Sequence, residues 1–203
     1  LYLLFEAVES GRLTLESPLT VSAEAASRPP AKLGLPVGTS ITVREAATAL
    51  AVRSANDVAV VVAEGVAGSE EAFARQMNAR ARAIGMSRTH FVNASGLPDE
   101  GQISTARDMA LLALQLRTRF PAYQNFFTLK EFRFNGRRYE ATNKLLGKVP
   151  GVDGLKTGYI RASGFHLVAT AQRGNKRLIA VVMGGETGRA RDARAEQLLE
   201  TWF

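Results

Sequence analysis

The fold of this chain depends most on residues 151–159, whose sequence is Gly-Val-Asp-Gly-Leu-Lys-Thr-Gly-Tyr. Two apolar runs, 165–171 and 178–183, follow this stretch and are separated by Arg-Gly-Asn-Lys at 173–176. Two strand-like runs around a Gly-Asn turn are typical of an antiparallel hairpin. The sequence therefore predicts a sheet in which 151–159 forms the strand beside this hairpin.

Lys156-Thr157-Gly158 brings together a cation, a hydroxyl and a residue without a side chain. Gly158 would let a ligand approach the backbone closely. A cation and a hydroxyl beside backbone N–H groups can hold a carboxylate or a developing oxyanion. The alternative for such a short motif is a solvated turn, so a second motif is needed to decide.

Composition limits the classes of protein that the chain can belong to. Its 203 residues are 46% hydrophobic, enough for one core or for a core with a subdomain. The net charge of +7 is scattered, which suits an anionic polymer or membrane face; no aromatic-rich strand motif or zinc spacing supports nucleic-acid binding. The chain has no cysteine and only two histidines, so we expect neither a metal nor another cofactor.

The first half of the chain has the pattern of helices. Residues 1–9 predict a buried helix, whereas 12–41 contain prolines and no sustained period, which predicts a loop. Thr42 and Glu45 form a capping-box pattern that predicts the start of the next helix. Residues 58–63 are apolar on all sides, as in a helix buried within a domain.

Further helices are predicted at 69–84, at 105–116 with Thr105 and Asp108 as a second capping box, and at 190–202. Asn135-Gly136 predicts a second hairpin within 132–139. Helices first and strands last indicate an α+β fold, with helices packed on a mainly antiparallel sheet. The closing helix is expected to bury four residues: Ala195, Leu198, Leu199 and Trp202.

Ser54 and Asn56 are polar residues between two apolar helices, and such residues need partners. A buried hydroxyl or amide without a hydrogen bond costs about 1–3 kcal/mol. One interpretation is a functional site. The other is that Ser54 and Asn56 only cap a helix that starts at Asp57.

Ser54-x-Asn56 and Lys156-Thr157-Gly158 resemble two of the three signature motifs of the penicillin-recognising serine enzymes. More of the chain is similar to the low-molecular-mass D-alanyl-D-alanine carboxypeptidases of the penicillin-binding proteins. The resemblance implies the penicillin-binding/β-lactamase-like transpeptidase fold, an antiparallel sheet packed with helices plus a helical subdomain. It is carried, in order along the whole chain, by residues 51–57, 90–97, 104–110, 142–146 and 152–159.

The family's Ser-x-x-Lys motif is absent, and the chain begins without Met inside an apolar helical pattern. We therefore expect 1–203 to be a single partial catalytic domain, with the N-terminal strands and the nucleophile motif ahead of Leu1. A C-terminal β-domain with a membrane anchor would follow in the parent protein.

The resemblance also implies a role for each site residue. Ser54 would relay a proton, and Asn56 would bind the substrate backbone and the missing lysine. Lys156 and Thr157 would hold the substrate's terminal carboxylate, and the Tyr159 N–H, next to Gly158, would contribute to the oxyanion hole. Arg191 would support carboxylate binding, with two arginines nearby as rivals for this role: Arg189 and Arg194.

The implied function is that of a serine D-alanyl-D-alanine carboxypeptidase that trims peptidoglycan stem peptides through an acyl-enzyme and is inhibited by β-lactams. Its location would be extracytoplasmic, in the periplasm or on the outer face of the cytoplasmic membrane. One alternative is a β-lactamase relative, although no Glu in an omega-loop context is visible. The other is a non-catalytic cell-wall-binding protein on the same fold.

Overall fold

The computed structural model describes all residues, 1–203, and contains eight helices and seven strands. A short 3-10 helix at Pro121–Tyr123 stands outside this numbering. None of the helices combines the length and the apolar character needed to cross a membrane. The elements in chain order are α1 (Tyr2–Glu9), β1 (Pro18–Thr20), α2 (Ala23–Ser27), β2 (Ser40–Thr42), α3 (Val43–Val52), α4 (Asn56–Ala67), α5 (Glu70–Ala83), α6 (Ala106–Arg119), α7 (Asn125–Thr128), β3 (Glu131–Phe134), β4 (Arg137–Glu140), β5 (Val152–Ile160), β6 (Gly164–Arg173), β7 (Lys176–Gly185) and α8 (Gly188–Trp202).

The main sheet consists of β5, β6 and β7 in that order, with both pairs antiparallel. The predicted hairpin is confirmed as β6–β7, and its turn places Gly174 at a φ of +55°. The stretch 151–159 forms β5, as predicted, with Gly158 opposite His166. The Asn135-Gly136 hairpin is also confirmed, as β3–β4.

Two apolar clusters hold the helices against this sheet. One face of β6 packs in the first cluster and the opposite face in the second. Leu167, Ala169 and Ala171 belong to a cluster of eight buried residues that includes Leu199 of α8. Val168 points to the other face, because side chains alternate along a strand, and it joins a cluster of 29 residues built mainly by the helices before the sheet. This two-sided burial explains the continuous apolar run, and the predicted α+β class is confirmed.

Phe5 of α1 lies at the centre of the larger cluster and is fully buried. Its ring stacks on Tyr123 with a centroid distance of 4.6 Å, and Phe126 and Phe127 follow at 6.0 and 6.3 Å. These contacts fix α1 against the connection between α6 and β3.

Three predictions of local structure are wrong. Residues 12–41 are not only loop, since β1, α2 and part of β2 lie there; strands this short carry no readable period. Trp202 is 65% exposed, because α8 turns only Ala195 and Leu199 fully into the sheet. The second capping box forms only by half: Thr105 accepts the N–H of Asp108 at 3.2 Å. The Asp108 carboxylate instead accepts hydrogen bonds from the Arg88 N–H and the Thr89 hydroxyl, and α6 runs on to Arg119.

Replacing Phe5 by alanine should lower the free energy of unfolding of the full-length protein by about 4 kcal/mol, because it leaves a cavity among four aromatic rings. Urea denaturation would measure the change. The matched control, Trp202→Ala, should cost less than about 0.5 kcal/mol, because that side chain is largely in solvent. Equal losses in the two variants would contradict this assignment of the core.

Candidate active site

Ser54 lies in the short break between α3 and α4 and has a φ of +59°. Non-glycine residues seldom adopt this left-handed conformation, which costs about 1–2 kcal/mol and occurs often at functional sites. The Ser54 Oγ accepts a hydrogen bond of 2.9 Å from the Nζ of Lys156 on β5. The two motifs found in the sequence, 102 positions apart, are therefore in direct contact.

Asn56 is the first residue of α4, where Asp57 was predicted, and it is 8% exposed. The N-cap is Ala55, and no side chain caps the helix, so the interpretation of Ser54 and Asn56 as mere caps is wrong. The Asn56 side-chain amide donates to the carbonyl of Pro29 at 2.9 Å, and its N–H donates to the carbonyl of Ala31 at 2.7 Å. Both bonds tie the start of α4 to a neighbouring loop.

Asp57 holds that loop in place and was missed by the sequence analysis. Its carboxylate is fully buried and accepts hydrogen bonds from the backbone N–H groups of Leu33, Gly34 and Leu35 at 2.8–3.3 Å. The negative charge of Asp57 is also stabilised by the positive N-terminal end of the α4 dipole. The available signal was an acid at the start of a helix that is apolar on all sides, since a buried carboxylate requires such partners.

Lys156 points from β5 to the helices, and its Nζ donates to the Thr157 carbonyl at 2.7 Å as well as to Ser54. Burial lowers the pKa of Lys156 to about 8, and the positive charge of Arg191 contributes in the same direction. The pKa of Lys156 therefore lies just above neutral pH, so the ammonium is mostly charged at pH 7 and loses its proton on modest alkalinisation.

Thr157 is fixed by a second residue that sequence reasoning did not assign. Its hydroxyl donates to the Oγ1 of Thr142 at 2.6 Å, and the Thr142 N–H donates to the carbonyl of Val52, at the end of α3, at 3.2 Å. Thr142 thus links the strand to the helix that precedes Ser54. In the sequence, Thr142 stands out only as part of the family-like stretch 142–146, and nothing there points to Thr157 as its partner.

Gly158 and Tyr159 continue β5 along the cavity wall. A Cβ at Gly158 would lie 3.7 Å from His166, which is an ordinary contact, so packing inside the protein does not require glycine there. The Tyr159 ring is 57% exposed and packs on Phe165 with a centroid distance of 4.3 Å. The role of the Tyr159 N–H stays a prediction.

Arg191 of α8 is 6% exposed, whereas its rivals Arg189 and Arg194 are exposed. It donates to the carbonyl of His166 and to the carboxylate of Asp192, both at 2.9 Å. Its charge acts on Lys156 and, after burial, lowers the pKa of His166. Of these three arginines, Arg191 is the one built into the site.

His166 braces the end of the sheet at this point. Its Nδ1 accepts the Gly184 N–H at 3.1 Å, so in the neutral ring Nε2 carries the proton and donates to the Ser163 hydroxyl at 2.8 Å. Both ring nitrogens therefore have partners within the protein.

An open cavity of about 860 Å³ is lined by all seven predicted site residues. The loop 93–97 forms part of its rim. A smaller apolar cavity of about 250 Å³ adjoins it, sharing Ser54, Asn56 and Lys156 and lined also by Leu1 and Tyr2. No group of three or more His, Asp or Glu side chains is placed to hold a metal ion.

Comparison with known proteins matches residues 1–187 to the D-alanyl-D-alanine carboxypeptidase family, peptidase S11. The chain is 37% identical over 207 residues to the D-alanyl-D-alanine carboxypeptidase DacF of Bacillus subtilis, covering 99% of this chain and 53% of that protein. The chain therefore spans about half the length of the curated relatives that it matches.

Solved structures with the same fold include penicillin-binding protein 5 of Haemophilus influenzae, with a TM-score of 0.94, 32% identity and coverage of 98% of this chain and 60% of that one. Penicillin-binding protein D2 of Listeria monocytogenes, in its ampicillin-bound form, has a TM-score of 0.83 and 32% identity over 98% of this chain and 82% of its own. These similarities confirm the predicted transpeptidase fold, and the chain belongs to the D-alanyl-D-alanine carboxypeptidase family of low-molecular-mass penicillin-binding proteins.

Proposed function

We propose that the full-length protein is a serine D,D-carboxypeptidase that removes the terminal D-alanine of peptidoglycan stem peptides through an acyl-enzyme. The observation that carries this proposal is the 2.9 Å hydrogen bond between Lys156 and Ser54 on the wall of an 860 Å³ cavity. Since peptidoglycan lies outside the cytoplasmic membrane, the protein would act there.

The terminal carboxylate of the substrate binds at Lys156 and Thr157 in this proposal. Lys156 supplies a desolvated positive charge, Thr157 a hydroxyl fixed by Thr142, and Arg191 a second positive charge behind the strand. Charge-assisted hydrogen bonds of this kind are about twice as strong as neutral ones. They would orient the last peptide bond for attack.

Ser54 relays to the leaving D-alanine amine the proton that the nucleophilic serine gives up through its activating lysine. Its oxygen already accepts a hydrogen bond from Lys156, and its own O–H is free to donate, since a hydroxyl does both. The Asn56 amide donates to Pro29 and leaves its carbonyl oxygen for the substrate or for the activating lysine. General acid catalysis of this type contributes about 10² to 10⁴ in rate.

We propose that the nucleophile belongs to a Ser-x-x-Lys segment that precedes Leu1, because none of the 203 residues forms this motif. The apolar cavity lined by both Leu1 and Lys156 brings the first residues of the chain next to the catalytic groups. The nucleophile N–H and the Tyr159 N–H would form the oxyanion hole, worth about 3–4 kcal/mol for each donor.

Full-length protein treated with a penicillin should acquire a stable adduct on a serine ahead of Leu1, because attack of that serine opens the β-lactam ring and the released amine stays tethered to the acyl group. Peptide mapping by mass spectrometry would locate it, and D-alanine release from a D-alanyl-D-alanine peptide would measure activity. Rapid turnover of penicillin would favour a β-lactamase instead. Folded protein with neither adduct nor D-alanine release would favour the non-catalytic alternative.

Ser54→Ala should lower kcat/KM for D-alanine release by about 10² to 10⁴, because the proton relay is lost. The matched control is Ser40→Ala, an exposed serine on β2 that makes no side-chain hydrogen bond, and it should keep wild-type activity. Wild-type kcat/KM in Ser54→Ala would remove Ser54 from the mechanism.

The KM of the wild-type enzyme should rise as pH increases through about 8, because Lys156 then loses the charge that holds the carboxylate. An exposed lysine would keep its proton to about pH 10.4. In Lys156→Arg the guanidinium stays charged at every pH tested, so the residual activity should show no such rise. A wild-type KM that stays constant from about pH 7 to 9.5 would contradict the role of Lys156 as a titrating carboxylate ligand.

A further inference from the structure

The wall of the 860 Å³ cavity carries four cations, Arg53, Lys144, Lys156 and Arg191, and no Asp or Glu. Three of them have partners within the protein. Lys144 pairs with Glu140 at 3.4 Å, Lys156 bonds to Ser54, and Arg191 bonds to Asp192.

Arg53 is the exception, because its guanidinium makes no hydrogen bond or ion pair, and its Nε is buried without a partner. An unsatisfied buried donor costs about 1–3 kcal/mol, and more when it is charged. Arg53 ends α3, where a positive charge is favourable, but only its backbone N–H bonds to the helix, at the Ala49 carbonyl. The N–H groups of the Arg53 guanidinium therefore make no hydrogen bond to the carbonyl groups at the end of α3.

We propose that Arg53 forms a second anion subsite, which binds a carboxylate of the peptide substrate other than the terminal one. The guanidinium presents its N–H groups in a planar fork that matches a carboxylate, and the cavity offers no competing acid. The inference rests on the proposed function, since it assigns the ligand of Arg53 to the same peptide that binds at Lys156.

The subsite at Lys156, with Arg191 behind it, and the subsite at Arg53 belong to different walls of the cavity. Arg53 directly precedes Ser54 on the helical wall, and its neighbour Val52 is tied to Thr142. Arg191 belongs to α8, behind β6. A peptide with one carboxylate at Lys156 and another farther along its chain would meet both cationic regions. The preferred ligand is thus a D-alanyl-D-alanine peptide with a free carboxylate upstream.

Steady-state hydrolysis by the full-length protein tests the subsite with two blocked peptides that end in D-alanyl-D-alanine. One has only its terminal carboxylate, and the other has an added carboxylate upstream. Arg53→Gln should raise KM for the second peptide about tenfold, while KM for the first changes less than about twofold and kcat stays the same for both. Arg53→Lys keeps the positive charge but lacks the planar guanidinium, so its KM for the second peptide should lie between those of the wild type and Arg53→Gln.

The control Arg133→Gln removes an exposed arginine of β3, outside the cavity, and should leave both KM values unchanged. Added salt should raise KM for the dicarboxylate peptide more in the wild type than in Arg53→Gln, because screening acts on the extra charge pair. An equal rise of KM for both peptides in Arg53→Gln, or no rise for either, would overturn the subsite.

If the wild type hydrolyses neither peptide, the proposed function is wrong, and calorimetric binding of the same two peptides decides the subsite separately. Binding of the dicarboxylate peptide that weakens about tenfold in Arg53→Gln, with the other peptide unaffected, would still support it. Equal affinity of the wild type for both peptides would refute it.

Discussion

The hydrogen bond between Lys156 and Ser54 is the contact on which the rest of the site depends, because it joins the sheet to the helices in a partly buried region. Burial lowers the pKa of Lys156 from 10.5 to about 8, a difference equivalent to about 3 kcal/mol. Since the pKa is lower in the folded state, the charged lysine opposes folding fully below about pH 8. This penalty disappears as pH rises towards 10.5, where both folded and unfolded states lose the proton.

The surrounding structure offsets this cost with hydrogen bonds and packing. The Thr157 carbonyl and the Ser54 hydroxyl each accept from the ammonium, and Thr142 fixes the next residue of the strand. On the helical side, Asp57 fixes the loop to which Asn56 bonds. Burial of β6 on both faces anchors the strand next to Lys156. The polar site is thus held between two apolar clusters that resist rearrangement.

Local sequence patterns predict the main helices and strands, because a hairpin turn or a capping box is determined by a few neighbouring residues. Gly174, Asn135 and Thr42 all stand where the pattern required them. Long-range partners were different: the sequence had no signal that Thr142 would meet Thr157 or that Asp57 would hold 33–35. Only the resemblance to a family assigned Ser54 and Lys156 to one site; the contact between their side chains is seen in the structure alone. Trp202 was misplaced because helical period alone cannot tell how far a sheet extends beneath a terminal helix.

The concentration of positive charge in the cavity links ligand binding to the protonation of Lys156. Burial and, after it, the charge of Arg191 lower the pKa of Lys156, so above about pH 8 the lysine tends to release its proton. A bound carboxylate reverses the local charge and raises the same pKa. In the proposed function, the substrate's carboxylate and the proton on Lys156 therefore each favour the binding of the other, because such coupling is reciprocal. The Arg53 guanidinium has no partner within the protein, and in the proposed second subsite a further carboxylate of the ligand neutralises its charge. In the proposed function, a wall with four cations and no acid favours anionic peptides, while burial keeps the pKa of Lys156 near 8.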